Sequence, residues 1–221
     1  MANNIKVVNN LGKGVEVHIT SDNVVEINWE SVKKRLSELA QGDIFKDPKG
    51  TEYIVCDQLD ESTLVIRKDL LEENMSFGAN NDWRESEVKD YLNNTYLHEL
   101  KESFGEDAIR KIRTNLTSLD GYDDYGISSD MVGMMTATDY MNYHKYIGDC
   151  DRPYWLSTPN STESGIGDSC VRVVDSDGGT VCGDPSRNRG VRPLFILQSD
   201  IFITYMYGTD TKEIKTRHEE D

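Results

Sequence analysis

The spacing of apolar and polar positions divides the chain into many short strands and a few helical stretches. IKVV at 5–8, VEVHIT at 15–20 and NVVEI at 23–27 read as strands, parted by the turn signals LGKG and SDN. Asn28 can cap a helix over 29–40, where Trp29, Val32, Leu36 and Leu39 form one apolar stripe and Gly42 marks the end. TEYIVCD and STLVIRK, joined by a polar turn, predict an antiparallel pair within 43–70. Asp82-Trp-Arg-Glu85 opens a helix to about residue 93 with Val88, Tyr91 and Leu92 inward, and a second helical stretch over 95–104 stops at Gly105. MVGMM at 131–135 reads as a buried strand, and Thr136 with Asp139 caps a helix ending near Ile147. Beyond it come the strands YWLSTP, VRVV, TVC, VRPLFIL and DIFITYMY, with a charged tail over 207–221.

Composition narrows the partners. A formal charge of −16 disfavours nucleic acid, whose phosphates need clustered lysine and arginine, although an acidic surface can imitate DNA toward a basic host protein. The chain contains no run of about 18 apolar residues for a membrane span, and its first residues lack the basic and apolar segments of a signal peptide. The expected places are the virion, or the cytoplasm of a bacterial host before lysis.

Catalytic signatures are weak. His18, His98, His144 and His218 are scattered, and no metalloprotease, nucleophile-elbow or phosphate-loop motif occurs. Asp120, Asp123, Asp124 and Asp130 form one acidic stretch and Asp175-Ser-Asp177-Gly another, but neither has the closing glutamate of an EF-hand. No metal or other cofactor is expected. Cys56, Cys150, Cys170 and Cys182 show no zinc spacing. A two-residue turn at Asp177-Gly178 sets Cys182 opposite Val173 and Cys170 opposite Pro185, an offset of roughly 10 Å, so all four are expected to be free thiols. Tyr140, Tyr143, Tyr146, Tyr154 and Trp155 form either core or a sugar-stacking platform.

The long polar stretch over 157–190 lies between strands, and Arg187-Asn188-Arg189 is a cationic spot on an acidic chain. Such a stretch inside a folded domain offers a loop surface for binding, with arginine able to hold a carboxylate in a fork.

In order, QGDIF, SFGANNDWRESEVKDYLN, LTSLDGYDDYG, YWLSTPNS, VRVVDSDGGTVCG and GVRPLFIL resemble a phage- and prophage-associated domain of unknown function, over about residues 40–204. The closing pattern also resembles the formylglycine-generating-enzyme branch of C-type-lectin folds, which holds copper or iron enzymes and non-enzymatic receptor-binding proteins. The resemblance implies an α+β, C-type-lectin-like domain over 41–206, preceded by strands and a helix over 1–40. Trp155, Leu156, Ser157, Thr158 and Pro159 match the opening of the closing pattern, and Gly190, Val191, Arg192 and Pro193 its end. It implies a core role for Trp155 and an anchoring role for Arg192. The cysteine pair or histidine triad of the enzyme branch is missing at the matching positions, so no catalysis is expected. In the receptor-binding branch the ligand faces residues between the two motifs, here Asn160, Ser161, Glu163, Arg172, Asp175, Asp184, Arg187, Asn188 and Arg189.

The expected function is a non-enzymatic module recognising a host-surface glycan or protein. Residues 1–40 would attach it to a capsid or tail protein or form a homo-oligomer. The alternatives are a structural virion protein and an acidic inhibitor of a host defence protein.

Overall fold

A computed structural model describes residues 15–19, 25–29 and 32–205. The expected strand at 5–8 and the tail lie outside the described residues. Mostly short antiparallel strands combine with two helical segments, an α+β arrangement.

The main sheet is eight-stranded. Along its length run Val132–Gly133, Leu194–Gln198, Ser62–Arg67, Glu52–Gln58, Ile44–Lys46, Phe202–Tyr205 and Val32–Arg35, with Ile109–Arg110 also paired to Leu194–Gln198. The central pair forms from the two apolar runs because both faces of each strand are buried. Tyr53, Val55, Val65 and Phe195 join one core, and the alternate residues Ile54, Cys56, Leu64, Ile66 and Leu194 join a second. Each core is closed by one helical segment. The first core takes Val88, Leu92, Tyr96 and Leu100 from a continuous helical run over 87–104, whose middle turn, Leu92–Tyr96, is π-helical. Ser86 caps it, accepting from the Lys89 N–H, and Gly105 ends it at φ +102°. The second core takes Tyr140 and Ile147 from the helix Ala137–Ile147, which opens on the expected Thr136–Asp139 capping box.

The helix expected over 29–40 does not form. Val25–Trp29 pairs with Val15–Ile19, Val32–Arg35 is a strand of the main sheet, and only Leu36–Glu38 makes a short 3-10 turn. Leu36 and Leu39 are buried in the first core, three residues apart as a 3-10 turn allows. The tie to Phe202–Tyr205 supplies hydrogen bonds that local periodicity cannot reveal. The main core therefore already includes residues on the N-terminal side of the expected boundary at 40–41.

Arg192 joins the two halves of the second core. It is 1% exposed, and its guanidinium donates to four carbonyls: Ile147 and Gly148 at the end of the helix, and Arg67 and Lys68 at the end of a strand. A cation at a helix C-terminus meets the negative end of the helix dipole, and the planar fork reaches several acceptors at once.

Candidate ligand-binding surface

A smaller sheet carries the polar loops. Tyr154–Pro159 pairs with Val171–Val174, which pairs with Thr180–Gly183. The stretch between the two motif ends leaves and returns at a common base. The Trp155 N–H donates to the Gly190 carbonyl at 3.0 Å, and the Gly190 N–H to the Pro153 carbonyl at 2.9 Å. A Cβ on Gly190 would lie 2.5 Å from Leu70 Cδ1 and 3.1 Å from the Pro153 oxygen, so a larger residue would make Leu70 and the base shift. Trp155 is fully buried beneath the base, stacks edge-on with Phe77 and donates its indole N–H to the Met75 carbonyl. Asn81, also fully buried, fastens the loop from below: its amide donates to the Ser161 and Cys170 carbonyls and its oxygen accepts from the Tyr125 hydroxyl.

The hairpin corrects the cysteine expectation. Its turn is one residue longer than the sequence suggests. The Gly178 N–H returns to the Asp175 carbonyl, the Asp175 N–H to the Gly179 carbonyl, and Gly178 adopts φ +81°. The register therefore slips by one, and Arg172 rather than Val173 faces Cys182. Cys170, now a diagonal neighbour on the same side, forms a disulfide with Cys182 across a Cα separation of 5.6 Å. Cys56 and Cys150 remain free, and burial pushes the Cys56 thiol up to about 12, which keeps it protonated at neutral pH. Thiol titration of unfolded, unreduced protein is expected to count two reactive groups, and four would refute the bridge.

The nine expected ligand residues divide into groups. Arg172 is the hub of the first, donating to the Asn160 side-chain oxygen at 3.4 Å and to both the carbonyl and hydroxyl of Thr180. Ser161 is not available to a ligand: it is 1% exposed, and its hydroxyl accepts from the Ile166 N–H. Glu163 is exposed at the loop tip. Asp175 serves the hairpin turn, accepting from the Ser176 N–H. Asp184 does the same for the next turn, accepting from the Ser186 N–H and hydroxyl, and its carboxyl is held below the usual range chiefly by the Ser186 hydroxyl. The Arg187 side chain is 75% exposed with its Nε 3.8 Å from Asp184, an open pairing of little energetic weight. Asn188 and Arg189 form a short strand against Met75–Ser76, and the Arg189 Nε is enclosed. The cationic spot is thus carried mainly by Arg187.

Tyr154 and Trp155 are core residues and Tyr140 is buried, so the stacking platform does not form from them. The acidic stretch is likewise engaged: Asp120 accepts from the Ser118 hydroxyl, and Asp130 from the Trp83 indole and the Ser128 hydroxyl. Among the described residues no three of His, Cys, Asp and Glu converge as metal ligands, and no helix is long and apolar enough to cross a membrane.

Sequence reasoning missed Thr180, Asn81 and a groove along residues 111–119. The run Arg110-Lys-Ile-Arg113, a basic cluster in an acidic chain, was a readable signal for the last. Comparisons with protein-family models, with curated proteins and with solved structures give no match.

Proposed function

We propose that this chain is a non-enzymatic ligand-binding module of a phage or prophage, built on a C-type-lectin-like domain, that recognises a host-surface glycan or protein. The observation that carries the reading is the closed base at Trp155 and Gly190, from which a long polar segment departs and to which it returns. Such a frame fixes the loop ends while leaving the tips free to vary without cost to the core. Exposed Glu163 and Arg187, with Arg172 held ready by Asn160 and Thr180, supply charge and hydrogen-bonding groups suited to polar ligands. The phage setting and the fold family rest on the order of the motifs between QGDIF and GVRPLFIL. Attachment to a particle, and its place on the virion, belong to the same proposal.

The test substitutes one strand arginine and one loop arginine while leaving the Trp155–Gly190 base intact. Arg172→Gln with Arg187→Glu is expected to leave the circular-dichroism spectrum of a folded protein, at a modest cost in melting temperature, and to weaken binding to intact host cells at least about tenfold. Binding at parental strength by the folded double variant would remove the loop surface from consideration.

A further inference from the structure

A groove of about 800 Å³ lies on the second-core side of the main sheet, apart from the loop tips. One wall is the strand Ile112–Asn115, the floor is made by Leu64, Leu194 and Ile196, and the far wall is the start of the helix Ala137–Ile147. Five consecutive residues, 111 to 115, line it. Consecutive lining residues mean that the groove runs along the edge of the strand rather than over one face, because side chains alternate between faces.

That edge is open. Ile112–Asn115 pairs on its other side with Ile127–Asp130, and the Leu116 N–H donates to the Gly126 carbonyl. This bond sets the phase of the ladder. Thr114 and Ile112 exchange hydrogen bonds with Ser128 and Asp130, so Arg113 and Asn115 direct their backbone N–H and C=O groups outward. No hydrogen bond among the described residues takes up those outward groups.

The side chains specify what could add there. Ile112 and Thr114 are buried beside Gly133, with Ile112 packed in the core of the floor, whereas Arg113 is exposed on the opposite side. Lys111 and Arg113 have no ion-pair partner among the described residues of a chain with formal charge −16. Asp139, the carboxylate in the far wall, is occupied by the Thr136 N–H and hydroxyl. Apolar rims are exposed at Leu119, 54%, and Met141, 64%. Charged residues alone can guard a strand edge, but a guarded edge requires neither an apolar floor nor exposed apolar rims.

We propose that this groove takes an extended segment of a partner protein by strand addition, with acidic and apolar residues alternating along it. The partner's backbone meets the outward groups of Arg113 and Asn115. Its apolar side chains lie over Leu194 and Ile196 beside Ile112, and its carboxylates share the outer face with Arg113 and Lys111, as the pleat requires.

The probe is a fluorescein-labelled octapeptide of alternating glutamate and valine, titrated into the full chain and read by fluorescence anisotropy. Saturable binding is expected, together with slowed amide exchange at Arg113 and Asn115. Affinity falls at least about tenfold for a lysine–valine peptide, for a backbone N-methylated glutamate–valine peptide, and for the folded Lys111→Glu/Arg113→Glu variant. Equal affinity for the N-methylated peptide would overturn strand addition, and equal affinity for the lysine–valine peptide or the double variant would overturn the acidic partner. Absence of binding would overturn the site. Displacement of the probe by a synthetic peptide of residues 206–221 would assign the groove to this chain's own tail and overturn the commitment to a partner.

Discussion

Arg192→Met is expected to destabilise the fold by about 3–5 kcal/mol, read as a lower urea midpoint at an unchanged slope. The methionine preserves much of the side-chain volume and removes every donor. The Ile147, Gly148, Arg67 and Lys68 carbonyls, all acceptors for the buried guanidinium, then lose that partner. A buried acceptor stripped of its bond costs about 1–3 kcal/mol, and local relaxation keeps four such losses from summing in full. Arg192→Lys is expected to recover part of the loss, since an ammonium donates three hydrogen bonds but cannot span a helix end and a strand end in one plane. A methionine variant within 1 kcal/mol of the parent would show that the cation is dispensable.

Trp155→Ala is expected to cost about 3–5 kcal/mol, the range for truncating a buried aromatic to alanine. Two effects combine there. The indole fills space among Phe77, Val173 and Gly183, and its N–H satisfies the Met75 carbonyl. A Cβ at Gly183 would stand 2.5 Å from Val173 Cγ2 and 2.8 Å from the Trp155 ring, so the small sheet closes over the indole only because position 183 is glycine. Trp155→Phe with Gly183→Ala is expected to be less destabilised than the sum of the two single variants, as the smaller ring makes room for the new methyl. Strict additivity in the denaturation midpoints would mean that the two residues do not share this packing.

The elements whose causes are local were legible in the sequence. Thr136 and Asp139 announce the start of the helix Ala137–Ile147, and the two apolar runs of the central hairpin read as an antiparallel pair because a polar turn joins them. What depends on distant partners was not. The stripe of Trp29, Val32, Leu36 and Leu39 suits a helix, yet Val32–Arg35 joins Phe202–Tyr205, some 170 residues away in sequence. The hairpin was found and its register missed, because Asp175-Ser-Asp-Gly-Gly offers two turns differing by one residue, and the choice decides whether Cys170 can reach Cys182. At the candidate surface, residue type identified the polar segment but not which members face outward: Ser161 turns in and Arg187 out. Of the groove only the basic run at 110–113 was legible, since its lining comes from five separated stretches of chain.

Binding to intact bacterial cells of the proposed host, with a glycan array beside it, tests the central claim most directly. The fluorescently labelled 221-residue chain is predicted to bind saturably, and the Arg172→Gln/Arg187→Glu variant to lose that binding while remaining folded. A folded parent protein that binds neither cells nor glycans would contradict the account of the loops as a recognition surface.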